Sequence, residues 1–289
     1  MTVAECAVEA ATALVRAGHP PGASRRDVGV LIRHILGWDS ARLLTHQRNQ
    51  APPSLAAALA PLVERRAAGE PVAYLTGERE FYGRAFTVTP DVLIPRPETE
   101  LVVDVACRFI DARDGKRSIL AVDVGTGSGC LAVTLAAERA QTVVAATDVS
   151  IRALEVAAGN AARHGVTRRL TFRHQSLIGD AMAAVDLVIS NPPYVAETDA
   201  ASLMRDVRDY EPALALFGGA DGLEVIRRLI PEAFAALRPG GALVMEIGAG
   251  QFNAVNRLLR QTGFEPAVPH PDLAGVLRVV SAERPGLSV

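Results

Sequence analysis

The chain has 289 residues, 49% of them hydrophobic and 21% charged, long enough for one large domain or two unequal ones and too apolar for a disordered chain. Its 30 basic and 32 acidic residues leave a formal charge of −2, which argues against a chain-wide basic field gripping nucleic acid through its phosphates. Residues 1–75 hold eight Arg and six acids, a balance of +2 that leaves −4 for the remainder, too small an asymmetry to name a partner.

The N-terminus carries no basic region followed by an apolar core, and no apolar run approaches the ~20 residues of a membrane span, so an unprocessed cytoplasmic protein without membrane contact is expected. The first 75 residues read as short helices separated by breakers. One runs from about Ala4 to Ala17 and stops at Gly18-His19-Pro20-Pro21-Gly22. Ser24 is placed as the cap of the next, in which Val28, Leu31, Ile32, Ile35 and Leu36 form one apolar face closing at Gly37. Asp39 or Ser40 starts a brief helix, and Ser54 a longer one ending near Gly69. Together they predict a small helical bundle.

From Pro71 to Ile94 the texture changes to Phe81, Phe86, Val88, Val92 and Ile94 around Tyr82-Gly83-Arg84, which predicts a β-hairpin joining two domains. Arg96-Pro97-Glu98-Thr99-Glu100 suits a helix start. Strands are then expected at Ile119–Val124, Thr142–Thr147, Leu170–His174, Val185–Ser190 and Ala242–Ile247, with Ala-rich helical stretches between several of them. That alternation predicts an α/β fold, a parallel sheet covered by helices on both faces. A last pair, Glu265–Val268 and Val276–Ser281, is expected at the sheet edge. Cys6, Cys107 and Cys130 are odd in number and widely spaced, which predicts neither a disulfide framework nor a zinc site, and no metal. The six histidines are scattered and read as surface or structural residues.

Three short stretches carry chemistry. Asp123-Val124-Gly125-Thr126-Gly127-Ser128-Gly129 lies between an apolar strand and a helix. Its alternate glycines let the backbone turn tightly and approach a ligand, and the helix start offers free N–H groups. The competing reading is a turn needed only for strand-to-helix packing. Position 130 is Cys, so the spacing is GxGxG and not the dinucleotide GxGxxG. Asp123 before the loop disfavours a pyrophosphate and tolerates a cationic amino-acid moiety. Asp148 follows at the end of the next strand, where a carboxylate accepts both hydroxyls of a ribose or caps the helix that opens there.

Asn191-Pro192-Pro193-Tyr194 is the most specific catalytic signal. The prolines remove two backbone donors and stiffen the loop, so the Asn191 side-chain oxygen and the Pro192 carbonyl are fixed as acceptors. Two converging acceptors suit a planar NH2 group, whose delocalised lone pair makes it a poor nucleophile unless its hydrogens are held. Tyr194 is placed to stack on that group. A rigid turn with a capping Asn and a packed Tyr is the alternative.

The glycine loop with its downstream acid resembles S-adenosylmethionine-dependent methyltransferases, and Asn-Pro-Pro-Tyr resembles those that methylate nitrogens of planar groups. Pro71-Val72-Ala73-Tyr74-Leu75-Thr76-Gly77, Phe81-Tyr82-Gly83, Phe86-Thr87-Val88 and Val92-Leu93-Ile94-Pro95-Arg96-Pro97-Glu98-Thr99-Glu100 are similar to the linker of the peptide chain release factor N5-glutamine methyltransferases. The likeness covers essentially the whole chain. It implies a seven-stranded Rossmann-like class I methyltransferase domain (96–289), a small N-terminal helical domain for substrate recognition (1–75) and a β-hairpin linker (76–95). It also implies transfer of a methyl group from S-adenosyl-L-methionine, leaving S-adenosyl-L-homocysteine, to the glutamine amide nitrogen of the Gly-Gly-Gln motif of class I release factors.

Under that resemblance Gly125, Thr126, Gly127, Ser128 and Gly129 wrap the methionine part of the cofactor and Asp148 holds the ribose. Asn191, Pro192, Pro193 and Tyr194 hold the glutamine, with Asn191 also beside the cofactor and Asn191, Pro192 and Tyr194 as the catalytic group. The family's usual aspartate and aromatic near the adenine are replaced by Gln175-Ser176-Leu177, which leaves Leu177 to cover the base by apolar contact. The displacement is expected to be in line, with positioning supplying most of the rate and no general base demanded. Arg96, Glu98 and Thr99 read equally as a cap over the cofactor or as a helix start, and Glu246 is not assigned to the site. No direct nucleic acid contact is expected, and a monomer is. The rivals are an adenine-N6 methyltransferase, which needs the same pair of acceptors, and a silent cofactor-binding scaffold.

Overall fold

Thr2 opens the first helix, α1 (Val3–Arg16), through a reciprocal capping box with Glu5. The computed structural model describes residues 1–113, 117–179 and 184–286. After α1 come α2 (Pro21–Leu36), α3 (Ser40–His46), α4 (Ser54–Ala67) and α5 (Val72–Thr76). Leu14, Leu31, Ile32 and Leu55 are fully buried between α1, α2 and α4, so the apolar stripes of three helices close one small core. These helices belong to a compact unit formed by Met1–Glu78 with Met204–Tyr210. Within it the almost buried Arg66 reaches Asp27 at 2.8 Å and Asp206 at 3.7 Å, and the Tyr210 hydroxyl donates to the carbonyl of Ala68 at 3.1 Å.

Two local expectations are corrected. Ser24 does not cap α2: the helix begins at Pro21, whose fixed φ and missing N–H suit a first helical position, and the buried Ser24 hydroxyl turns back to the Pro20 carbonyl at 3.0 Å. The hairpin does not begin at Pro71, because residues 72–76 form α5. Its strands are β1 (Glu78–Phe81) and β2 (Arg84–Thr87), joined through Tyr82 and Gly83.

The second unit spans Arg79–Leu203 and Glu211–Val289. Its order is α6 (Glu100–Asp111), β3 (Ile119–Val124), α7 (Cys130–Glu138), β4 (Thr142–Asp148), α8 (Ile151–Arg163), β5 (Leu170–His174) and β6 (Val185–Ser190). After β6 come α9 (Arg205–Tyr210), which packs in the first unit, α10 (Ala213–Leu216), α11 (Glu224–Ala236), β7 (Leu237–Glu246), α12 (Phe252–Thr262), β8 (Val268–Pro271) and β9 (Leu277–Glu283). The seven-stranded sheet runs β5-β4-β3-β6-β7-β9-β8, parallel from β5 to β7 and antiparallel from β7 to β8. It is therefore mixed, with the expected edge pair antiparallel. The first strand of that pair starts at Val268, after residues 265–267, where Glu265 N donates instead to the Glu283 carbonyl at 2.9 Å.

Strand period places the two cores. Leu187 and Ile189 of β6 and Ala242 and Val244 of β7 join α6 and α7 on one face, while Val188, Leu243 and Met245 join α11 and α12 on the other. Phe81 and Phe86 of the hairpin enter the first core edge-to-face, 6.0 Å between ring centroids. Asn160 on α8 ties the hairpin to the sheet: its side chain exchanges hydrogen bonds with the Thr87 backbone and donates to the Ser128 carbonyl at 2.8 Å. No helix among the described residues is long and apolar enough to cross a membrane.

Candidate active site

Strand order reverses at β3, which has β4 on one side and β6 on the other, and open α/β sheets bind ligands outside the carboxyl ends of strands at such a point. Register makes those ends level: Val124 pairs with Thr147 on one side and Ser190 on the other, and Ser190 pairs with Met245. The residues that follow, Gly125, Asp148, Asn191 and Glu246, are thereby neighbours. A cleft of about 450 Å3 opens over Gly125, Asp148 and Asn191, within the size range of small-molecule sites.

The glycine loop forms one wall. Gly125, Gly127 and Gly129 all have positive φ, a conformation costly for other residues. A Cβ on Gly125 or Gly127 would meet only open space, whereas one on Gly129 would lie 3.0 Å from the Ala157 side chain on α8. The first two glycines thus keep room above the loop, and the third lets α7 pack on α8. Asp123 is buried beneath, its Oδ2 accepting from the Thr126 hydroxyl at 2.6 Å and from Ala132 N at 3.1 Å. Burial pushes its carboxyl up to about 7 against those two bonds. Asp123 Oδ1 and Ser128 Oγ are buried without a partner among the described residues.

Asp148 accepts from Gly127 N through Oδ2 and from Ser150 N through Oδ1, both at 2.9 Å. The carboxylate fixes the loop and braces Ser150, which is the residue that caps α8 by accepting from Ala153 N at 3.1 Å, while Asp148 itself stands at the cleft, where each oxygen keeps further lone pairs. Leu177 closes the far side. It is buried at 8% exposure, lines the cleft and holds a left-handed φ of 53°, a strain of about 1–2 kcal/mol. Gln175 and Ser176 line the cleft beside it. A glycine cradle, a carboxylate at the rim, an apolar wall and unpartnered polar atoms together fit a nucleoside carrying an amino-acid tail.

Asn191, Pro192 and Pro193 form the opposite wall with Thr99, Pro212 and Phe217. The Asn191 amide is oriented by its Nδ2, which donates to Thr99 Oγ1 at 3.1 Å and leaves Oδ1 as its remaining acceptor. Tyr194 stands apart from its three neighbours. Its ring packs against the second core outside the cleft lining, and its hydroxyl donates to Glu246 Oε1 at 3.0 Å. Glu246 is 1% exposed and accepts the Thr99 hydroxyl on Oε2 at 2.6 Å. Burial raises its carboxyl to about 7, with Thr99 and Tyr194 opposing, and burial with the neighbouring carboxylate holds the Tyr194 phenol well above its ordinary range.

The structure gives contacts to residues whose roles the sequence leaves open. Thr99 does not merely start a helix, since it bridges Asn191 and Glu246, 147 positions away from the latter. Arg96 pairs with the buried Glu211 at 2.5 Å, and Glu211 also accepts Ile94 N at 3.1 Å, which fixes the linker at the cleft. Gly218-Gly219-Ala220-Asp221-Gly222 supports the Asn-Pro-Pro-Tyr loop from behind. A Cβ on Gly218 would lie 2.5 Å from the Pro193 carbonyl, and one on Gly222 would collide with the Tyr194 carbonyl. The density of glycine there is a signal the sequence offers.

Two family models match the chain. The PrmC N-terminal domain model matches residues 7–77, and the methyltransferase small domain model matches residues 102–207. A protein of Cereibacter sphaeroides is 44% identical over 260 residues, 90% of this chain and 91% of its own length. One of Bordetella pertussis is 43% identical over 265 residues, 90% of this chain and 94% of its own length. Both are named release factor glutamine methyltransferase. The hMettl16 catalytic domain, solved in complex with a MAT2A 3'UTR hairpin, superposes with a TM-score of 0.58 at 17% identity, over 75% of this chain and 82% of that one. It shares the fold.

Proposed function

The chain belongs to the release factor glutamine methyltransferase family, and from that premise we propose that it transfers a methyl group from S-adenosyl-L-methionine to the glutamine side-chain amide of the Gly-Gly-Gln motif in class I peptide chain release factors. The observation that carries this reading is the Asn191 carboxamide, held by Thr99 with Oδ1 left to accept, on the wall of a cleft whose other wall is the glycine loop. An amide NH2 offers the two donors that Asn191 Oδ1 and the Pro192 carbonyl require, and holding both hydrogens aims the nitrogen lone pair.

Gly125, Thr126, Gly127, Ser128 and Gly129 hold the methionine part of the cofactor, Asp148 the ribose, and Leu177 the base by apolar contact. When bound, the cofactor supplies a methyl group on a sulfonium, an electrophile that needs no metal. Asn191 and Pro192 fix the acceptor amide, Pro193 stiffens the wall, and Tyr194 acts from behind the cleft through Glu246. Glu246 stays under the wall and off the cleft, so the proton shed after transfer goes to solvent. Residues 1–75 serve to recognise the release factor, 76–95 connect, 96–289 carry the chemistry, and the protein works as a monomer in the cytoplasm.

The test is methyl transfer from labelled S-adenosyl-L-methionine to a purified class I release factor, beside the same factor with its motif glutamine changed and beside single- and double-stranded DNA. Label on the intact factor alone, lost in Asn191→Ala with S-adenosyl-L-homocysteine binding preserved, is expected. Label on DNA would move the assignment to an adenine amine, and full turnover by Asn191→Ala would remove the acceptor wall from the mechanism.

A further inference from the structure

The Thr99 hydroxyl has one proton and two partners. Oε2 of Glu246 lies 2.6 Å away and Nδ2 of Asn191 3.1 Å away. An ionised carboxylate only accepts, so the Thr99 proton goes to Glu246 and Thr99 is left with lone pairs alone. Those lone pairs admit only an N–H, which turns the Asn191 amide nitrogen inward and its oxygen to the cleft. The Tyr194 hydroxyl donates to the other oxygen of Glu246 at 3.0 Å, which holds the carboxylate from a second side of the same loop. Were Glu246 protonated, it would be able to donate to Thr99, Thr99 would donate to the Asn191 oxygen, and the amide would present N–H groups to the cleft.

We propose that Glu246 is a positioning residue for the methyl acceptor: acting through the Thr99 hydroxyl, it sets the polarity of the Asn191 carboxamide, so that the cleft takes a side chain offering N–H donors and turns away one offering acceptors alone. The proposal rests on the glutamine reading above and deepens it, because it explains how the site separates a glutamine from a glutamate of nearly equal shape. Around Glu246 stand Glu98 beside Thr99, Arg278 on β9, Cys130 at the start of α7 and Tyr194. Glu98 raises its carboxyl and Arg278 lowers it, and burial outweighs both. The polarity is correct when Glu246 is ionised, so transfer falls as pH drops through about 7.

The experiment compares wild type, Glu246→Gln, Thr99→Val and Thr99→Ser on the same release factor from pH 5.5 to 8.5, with thermal unfolding and S-adenosyl-L-homocysteine affinity measured for each. It also measures, with S-adenosyl-L-homocysteine bound, the affinity for the release factor carrying glutamine against that carrying glutamate in the motif. Thr99→Val is expected to lower kcat/KM by roughly 10- to 100-fold, the worth of one or two oriented hydrogen bonds, with Thr99→Ser close to wild type. Glu246→Gln should lose the acid limb of the wild-type profile, and both Glu246→Gln and Thr99→Val should narrow the glutamine-over-glutamate preference. Combining the two substitutions should cost little more than either alone, since they interrupt one relay.

An unchanged acid limb in Glu246→Gln, or an unchanged preference in Thr99→Val, overturns the proposal. Should Glu246→Gln fail to fold, the Thr99 pair decides. Failure of wild type to label the release factor would sink the glutamine reading itself, which is a different result from wild-type transfer that ignores Thr99 and Glu246.

Discussion

Replacing Gly222 by alanine is expected to impair transfer from behind the site while leaving the cofactor wall intact. The position has a φ of +73°, and an added Cβ would collide with the Tyr194 carbonyl oxygen while lying 2.9 Å from Gln251 Nε2 and 3.1 Å from Ala196 N. Alanine in that region of backbone space costs about 1–2 kcal/mol. Moving the carbonyl away stretches the 2.9 Å hydrogen bond it accepts from Gln251 Nε2, worth about 1–3 kcal/mol where it is partly buried. The sum is roughly 2–5 kcal/mol, a Tm lower by about 5–15 °C. The same displacement carries the loop that bears Asn191, and a misplacement of about 1 Å at a reacting group costs on the order of 100-fold in turnover. Gly240 supplies the control, with a φ of +75° and nothing within 4 Å of a Cβ, so Gly240→Ala bears the backbone strain without the collision. Thermal unfolding, calorimetry with S-adenosyl-L-homocysteine and release-factor methylation should show Gly222→Ala slow at near-normal cofactor affinity and Gly240→Ala only slightly destabilised. Equal turnover in the two variants, or parallel loss of cofactor affinity and turnover in Gly222→Ala, would refute the reasoning.

Two further outcomes follow from the other wall. Under the ribose role proposed for Asp148, Asp148→Ala removes hydrogen bonds worth about 2–4 kcal/mol, which should weaken S-adenosyl-L-homocysteine by roughly 30- to 1,000-fold in calorimetry; a change under about 5-fold would take Asp148 out of that role. Asp123 has a folded pKa raised to about 7 by burial, above an unfolded value of ~4, so the folded state binds the extra proton and its contribution to stability is lost as pH rises from ~4 through about 7. Wild type measured against Asp123→Asn should therefore lose relative stability between pH 5 and 7 and no more above it. Parallel Tm curves for the two proteins would show that the carboxyl is not strained by burial. Glu246 has the same sign and is present in both, so it cancels, and stability and turnover then move in opposite directions with pH.

Contiguous signals are legible in the sequence. The β3, β4 and β6 patterns with their terminal Gly125, Asp148 and Asn191 sit where β-rich runs ending in loop residues placed them, because strand period and the break that follows are local properties. The start of α2 lies three residues before the cap expected at Ser24, because Pro20-Pro21 has the composition of a breaker while Pro21 also suits a first helical position. Thr99, Glu246 and Gly222 were not legible in their roles for another reason. Their neighbours lie 92 and 147 positions away for Thr99 and 28, at Tyr194, for Gly222, and only the tertiary fold brings such residues together. The direction of the half-buried Tyr194 side chain is equally hidden, since a tyrosine beside two prolines carries no mark of which way its ring turns.

The chain changes unit three times, after Glu78, after Leu203 and again after Tyr210. A bead on a single tether is severed by one cut, but here residues 204–210 leave the catalytic unit and return to it at Glu211, whose carboxylate is fixed beside the cleft by Arg96 and Ile94. The excursion is thus a closed stitch, begun ten residues beyond Tyr194. A chain that starts at residue 79 would keep residues 125–129, 148 and 191–194, yet deprive Asp206 and Tyr210 of Arg66 and Ala68. Topologically, Arg66 and Ala68 give residues 204–210 an anchor inside their own unit, so a chain without residues 1–78 leaves the stitch open at that end.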